Sequence, residues 1–198
     1  MSRIGIMGGT FNPPHNGHVH AAQQAAQMLQ FDRLLLIPDN VPPHKMLPHG
    51  SANSEQRLEM TRRMAAEITG AEACDMELKR GGRSYTADTL RMLHKIYPGA
   101  EFFLIIGTDM LLTLDQWREP ETLCALASFA VVARDADDRN AIAQKAAWLK
   151  KTWDARIAIV DCPALPISST QVRADRALCR EMVPPAVYEY ITQQGLYF

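Results

Sequence analysis

Two histidines three residues apart, behind a Gly-Gly pair and a two-proline turn, carry the strongest chemical signal in this 198-residue chain. The run reads Arg3-Ile4-Gly5-Ile6-Met7-Gly8-Gly9-Thr10-Phe11-Asn12-Pro13-Pro14-His15-Asn16-Gly17-His18. An apolar strand enters it and a helix leaves it. Gly8 and Gly9 carry no Cβ, so backbone there can approach a ligand closely. The first N–H groups of a helix lack intrahelical partners and sit at the positive end of its dipole, which suits an anion. His15 and His18 lie about one helical turn apart and can face that anion together. Gly-Gly after a strand is often only a turn, and paired histidines are often surface or capping residues. Eleven consecutive positions that fit one task, Gly8 to His18, point instead to a phosphate site. His15, His18 and His20 also have a spacing that invites a metal. No Cys, Asp or Glu stands nearby to complete a tetrahedral set, so a zinc site is not expected.

A second phosphate signal lies near the other end of the chain, at Ile167-Ser168-Ser169-Thr170-Gln171-Val172-Arg173. Three hydroxyl residues open a helix, and Arg173 falls within its first turn, where a guanidinium fork can reach an anion held at that terminus. Simple capping explains one hydroxyl, not three and an arginine. Two such helix starts in one chain suggest a polyphosphate held from both sides.

Weaker constellations follow the apolar runs. In Pro42-Pro43-His44-Lys45 two prolines stiffen the loop that presents Lys45, a point charge for phosphate or a solvated surface lysine. In Gly107-Thr108-Asp109 the carboxylate can accept from a ribose hydroxyl, orient hydrated Mg²⁺, or cap a helix. Trp117 offers a flat face to an aromatic ring, or a core side chain. Its flanking residues Asp115, Gln116, Arg118 and Glu119 indicate a partly exposed setting. In Gly81-Gly82-Arg83-Ser84-Tyr85-Thr86 a turn leads to a helix start at Thr86 that could receive a carboxylate or amide.

The elements that position these groups alternate along the chain. Strands are predicted at Ile4–Met7, Arg33–Pro38, Ala73–Leu78, Glu101–Ile106, Ser128–Ala133 and Arg156–Val160. Helices are predicted at Val19–Leu29, Ser54–Ile68 with Ser54 as cap, Tyr85–Ile96 with Thr86 as cap, Ala141–Lys151, Ser169–Leu178 and Pro184–Gln194. Strands buried on both faces and separated by helices imply an α/β fold: a Rossmann-like parallel sheet with helices on both faces, one domain over 1–198. Ligands of such sheets bind beyond the carboxyl ends of the strands. Gly8–His18, Asp39–Lys45, Gly107–Asp109, Arg134 and the loop before Ser168 should therefore converge. The proline-rich loop from Asp39 to Asn53 is a candidate lid.

Composition removes several function classes. The chain is 47% hydrophobic and 22% charged, with a formal net charge of −1, so no nucleic-acid partner is expected. No run approaches the roughly 18 apolar residues of a membrane span. The sequence enters the first strand at once, so no secretory segment is expected. Cys74, Cys124, Cys162 and Cys179 are scattered, with no Cys-x-x-Cys pair, as in reduced cytoplasmic proteins. Oligomeric state is left open, homo-oligomers included.

Gly8–His18 resembles the first motif of the nucleotidyltransferase superfamily, with its His-x-Gly-His core, and Ile167–Arg173 resembles its second, Ile-Ser-Ser-Thr-x-x-Arg. Pro42-Pro43-His44-Lys45, Ser84-Tyr85-Thr86, Gly107-Thr108-Asp109, Trp117 and the ending Ile191-Thr192-Gln193-Gln194-Gly195-Leu196-Tyr197 narrow the resemblance to bacterial nicotinate-nucleotide adenylyltransferases. It covers essentially the whole chain. Two positions depart from it: Asn12 stands where Asp is more frequent, and Arg134 is followed by Asp135-Ala136-Asp137-Asp138 rather than Pro-Gly.

The resemblance implies adenylyl transfer from ATP to nicotinate mononucleotide, yielding nicotinate adenine dinucleotide and pyrophosphate, with Mg²⁺ carried mainly on the ATP phosphates. It implies His15, His18 and Arg173 as the catalytic residues on those phosphates. Gly8, Gly9, Thr10, Phe11, Ile167, Ser168, Ser169 and Thr170 would line the ATP side. His44 and Lys45 would lie near the mononucleotide phosphate, Trp117 on the pyridine ring, Tyr85 and Thr86 at its carboxylate, and Gly107 and Asp109 near the ribose. Arg134 would join the substrate residues. Adenylyl- or cytidylyltransferases acting on phosphopantetheine or glycerol phosphate share the first motif but not the later set. A nucleotide sensor without turnover would not need His15, His18 and Arg173 together.

Overall fold

Each apolar run bracketed by Gly, Pro or charge takes its place in one sheet. The computed structural model describes residues 1–43, 46–133, 138–160 and 165–198. Six strands are found there: β1 (Arg3–Gly9), β2 (Arg33–Pro38), β3 (Ala71–Ala73), β4 (Glu101–Gly107), β5 (Ser128–Val132) and β6 (Ile157–Val160). Neighbours are parallel throughout, in the order β3-β2-β1-β4-β5-β6. The chain builds outward from β1 to β3, then returns beside β1 with β4 and builds the other way. The carboxyl ends of β1 and β4 thus flank the crevice where the strand order reverses, the usual ligand position in such sheets.

Ten helices occur among the described residues: α1 (Asn16–Leu29), α2 (Ser54–Ala65), α3 (Met76–Arg80), α4 (Thr86–Ile96), α5 (Thr108–Leu112), α6 (Pro120–Leu126), α7 (Asp138–Trp153), α8 (Ser169–Ala174), α9 (Arg176–Met182) and α10 (Pro185–Gln193). A single 3₁₀ turn, Leu114–Gln116, follows α5. Alternate strand residues face opposite sides, and each side has its own core. Met7, Leu34, Leu36, Phe103 and Ile105 pack with Ala22 and Ala25 of α1, Met60 and Met64 of α2, and Val187 and Ile191 of α10. Ile6, Leu35, Ile37, Leu104 and Ile106 pack with Leu90 and Leu93 of α4, Leu123 of α6, and Ile142 and Leu149 of α7. Each fully buried side chain of this size contributes roughly 1.5–3 kcal/mol relative to exposure, so burial on both faces holds the short elements in place. None of the described helices is long and apolar enough to cross a membrane.

Several boundaries differ from the sequence reading. Ala73–Leu78 is not a strand: β3 ends at Ala73 and α3 begins at Met76. A five-residue helix has too few turns to tell a 3.6-residue period from a period of two. Asn53, not Ser54, caps α2, accepting from Gln56 N, and the helix stops at Ala65 rather than Ile68. Tyr85 holds the cap position of α4, with no side-chain bond, and Thr86 is its first residue. The expected helix Ser169–Leu178 breaks into α8 and α9 at Asp175, whose carboxylate accepts from Ala177 N and Leu178 N. Asp competes with the helix backbone and starts a new one.

Candidate active site

The Gly8–His18 segment leaves β1 at the crevice and enters α1 through a turn containing a cis Asn12–Pro13 peptide. A Cβ on Gly8 would meet nothing nearer than the Ile37 carbonyl oxygen at 4.0 Å, so protein packing does not require glycine there. A ligand approaching this exposed backbone would. At Gly17 the protein itself crowds the space: a Cβ would lie 3.0 Å from His15 Nδ1 and 3.1 Å from its Cε1. The His15 ring lies across the bare Gly17 backbone and stacks on His18, with centroids 3.8 Å apart.

The turn is held by its carbonyls. Gly9 O accepts from Asp39 N at 2.9 Å, Thr10 O from Arg57 Nη1 at 2.8 Å, Asn12 O from Arg173 Nη1 at 2.5 Å, and Pro13 O from Ser169 Oγ at 2.8 Å. Four of the five carbonyls from Gly9 to Pro13 are therefore engaged by protein donors. A carbonyl oxygen aimed at a phosphate would repel it. Tying these oxygens back favours presenting the opposite, N–H side to an anion. His18 is oriented the same way: its Nδ1 accepts from His15 N at 3.1 Å, which places the proton of the neutral ring on Nε2. The edge of the His18 ring also meets Phe11, 5.1 Å between centroids.

The Phe11 side chain is buried at 1% exposure beneath Gly9 and His18, with φ of 48°, so only its backbone is placed to face a ligand. Arg173 braces Asn12 O and donates to Thr170 Oγ1 at 3.3 Å. The three hydroxyls of the second motif have separate tasks. Ser168 caps α8 with Gln171, Ser169 ties down Pro13, and Thr170 supports Arg173. Ile167 packs against the core on the α1 face.

Three residues absent from the sequence-derived set complete this arrangement. Arg57 of α2, 1% exposed, donates to Thr10 O, Asp39 Oδ1 and Asn40 O. Ser51 Oγ accepts from Asn12 Nδ2, and Tyr197 donates to Asn12 Oδ1 at 2.8 Å. Burial raises the Tyr197 hydroxyl well above its usual range, keeping it a donor. The hydrogen bonds at Asn12 explain how the chain uses an amide at this position: it donates to Ser51 and accepts from Ala52 N and Tyr197 at once. Of these three, only Tyr197 left a trace in the sequence, as part of the ending Ile191–Tyr197.

The acceptor-side residues line up along the same edge of the sheet. Asn40 N donates to Ser84 Oγ at 2.9 Å, and Val41 bridges Arg83, joining the end of β2 to the turn before Tyr85 and Thr86. Arg118 lies 4.4 Å above the Tyr85 ring, which brings the Trp117 segment to the start of α4. Trp117 is half-buried and rests against the α4-side core. Gly107 caps α5, and Asp109 is exposed in that helix's first turn without capping it. His44, Lys45 and Arg134 lie outside the described residues. No group of three His, Cys, Asp or Glu able to hold a metal is found among the described residues. Cys74, Cys124 and Cys179 are free thiols, and burial pushes Cys124 and Cys179 up to about 11. Neither is a thiolate at neutral pH.

The cytidylyltransferase-like family model matches residues 6–175. A Shewanella protein (strain MR-4) named as a probable nicotinate-nucleotide adenylyltransferase is 36% identical, covering 99% of each chain. A Synechococcus protein (strain JA-3-3Ab) of the same name is 40% identical, covering 98% of this chain and 94% of its own. Among solved structures, Plasmodium falciparum nicotinic acid mononucleotide adenylyltransferase complexed with NaAD superposes with a TM-score of 0.79 at 19% identity, covering 100% of this chain and 98% of the other. At that identity the likeness is one of fold.

Proposed function

The chain belongs to the nicotinate-nucleotide adenylyltransferase family, and we propose that it transfers the adenylyl group of ATP to nicotinate mononucleotide in the cytoplasm. The products are nicotinate adenine dinucleotide and pyrophosphate, a step of NAD synthesis. The observation that carries this reading is the turn from Gly9 to Pro13, its carbonyls tied back and its end stacked with His15 and His18 at the α1 terminus.

An oxygen of the mononucleotide phosphate attacks the α-phosphorus of ATP in line. The bond from that phosphorus to the β-phosphate bridging oxygen breaks, and pyrophosphate leaves with the electron pair. The nucleophile is already an anion at neutral pH, so no general base and no covalent enzyme intermediate are needed. The barrier is repulsion between two anions and the charge gathering on the leaving group, so catalysis reduces to positioning and charge stabilisation. His18 Nε2–H, His15, the α1 terminus and Arg173 supply the stabilising charge and donors. Their chemistry suits an anion, so Mg²⁺ would arrive with ATP, held by phosphate oxygens and water, and neutralise part of that charge. In this reading Trp117 stacks on the pyridine ring, Tyr85 and Thr86 meet its carboxylate, and Asp109 lies at the ribose. Lys45, with His44 beside it, and Arg134 keep the substrate-side roles that the resemblance gives them.

Pyrophosphate release from ATP and Mg²⁺, measured with nicotinate mononucleotide and with its amide, tests the reading. Release with the acid well above that with the amide is expected. No release with either, and release with a phosphopantetheine acceptor, would overturn it.

A further inference from the structure

The two substrates in the proposed reaction rest on separate turns, one after β1 and one before α4, and one buried side chain joins them. Arg57 Nη1 donates to Thr10 O in the first turn and to Asp39 Oδ1, and its Nη2 donates to Asn40 O at 3.0 Å. Asp39 Oδ2 accepts from Thr10 Oγ1 at 2.8 Å. Asn40 then holds the second turn: its N donates to Ser84 Oγ, and its Nδ2 donates to Gly82 O at 3.1 Å. Ser84 N closes the connection by donating to Val41 O at 3.0 Å. The chain of bonds runs from Thr10 through Arg57 and Asn40 to Ser84, next to Tyr85.

Arg57 is a costly way to fill a core. It is 1% exposed, and its Nε finds no hydrogen-bond partner among the described residues. A buried ion pair with an unmet donor is often no more stable than an apolar replacement. What an apolar side chain cannot do is hold three oxygens from two loops on one group, and the guanidinium fork does.

From this arrangement we infer that Arg57 is a positioning residue that sets the separation of the two substrate turns, and with it the in-line approach of the mononucleotide phosphate to the α-phosphorus. The inference rests on the adenylyl-transfer reading. Each substrate keeps its own turn when Arg57 is altered, so each still binds. What is lost is their mutual distance, and a misplacement of about 1 Å costs roughly 10²-fold in rate.

Arg57→Lys, which keeps one positive charge but loses the fork, tests it. The expected result is a kcat at least about 10-fold lower, with KM for ATP and for nicotinate mononucleotide each within about threefold of the parent. Calorimetry with nicotinate adenine dinucleotide gives a second readout, because that molecule covalently joins both nucleotide halves and must reach both turns at once. Its affinity should fall while those of the separate mononucleotide and a non-hydrolysable ATP analogue persist. Should Arg57→Lys fail to fold, Ser84→Ala cuts the same chain at its far end and should show the same split. An unchanged kcat, or a KM for one substrate that rises with kcat intact, overturns the inference. Absence of turnover in the parent protein overturns the adenylyl-transfer reading instead.

Discussion

Replacing Gly17 with alanine should make the protein less active and no less stable. The added Cβ would sit 3.0 Å from His15 Nδ1 and 3.1 Å from Cε1, where ordinary contacts begin at 3.4 Å. The imidazole must therefore yield by a few tenths of an ångström. Its stacking on His18, 3.8 Å between centroids, restricts where it can go, and a shifted ring disturbs its neighbour as well. Scaled from roughly 10²-fold per 1 Å of misplacement, such a shift lowers kcat/KM for ATP by about 3- to 10-fold. The same change removes a glycine from the first turn of α1, which favours the helix by up to about 1 kcal/mol and raises Tm by about 1–3 °C. Initial rates of pyrophosphate release at saturating mononucleotide, with ATP varied, and a thermal melt give both quantities. Full activity at an unchanged or higher Tm would show that the His15 ring does not act on the nucleotide from this position. A joint fall in activity and Tm would show that backbone, not the ring, absorbs the clash.

Removal of His18, as His18→Ala, should lower kcat by roughly 10²-fold with little change in Tm, as expected on losing one donor to the transition state; near-normal turnover in a folded variant would refute its role. Trp117→Ala should raise KM for the mononucleotide and leave that for ATP unchanged, and an unaltered KM would return Trp117 to the core alone. Burial raises the Glu77 carboxyl above its ordinary 4.5, against lowering contributions from Thr89, Ser84 and Arg80. The native state thus holds that proton more tightly than the unfolded chain, and its contribution to stability is present below about pH 4.5 and lost as pH rises through the native value. Glu77→Gln, neutral at every pH, should gain in Tm over the parent as pH rises from 4.5 to neutrality. A difference independent of pH would contradict this.

What the sequence reveals about this protein depends on how far apart cooperating residues lie. Gly8 to His18 is contiguous, and its glycines, prolines and histidines each have a local reason to be there, so the turn is legible. The strands other than β3 are legible because runs of apolar residues admit little else in an α/β protein, whereas β3 is only three residues, Ala71–Ala73, with Glu72 at its centre. Arg57 is not legible. It sits in α2 among Glu55, Glu59, Arg62 and Arg63, a pattern that reads as a solvated face, and its partners Thr10 and Asp39 are 47 and 18 residues away. The segment from Thr108 to Leu126 is not legible either, because α5, α6 and the turn between them each span about two helical turns or fewer. The direction of the Phe11 side chain is not legible for another reason. A place in a turn does not say which way a side chain points, and here the ring is buried against Gly9.

The bond from Tyr197 to Asn12 closes a loop of 185 residues around the phosphate turn. Synthesis of the chain delivers Asn12 early and Tyr197 late, so the turn lacks one of its supports for nearly the whole time the polypeptide is being made. A fragment cut at any point between the two can fold parts of the sheet but cannot make this contact. The turn thereby gains its last side-chain support only after the two distant ends of the loop have met.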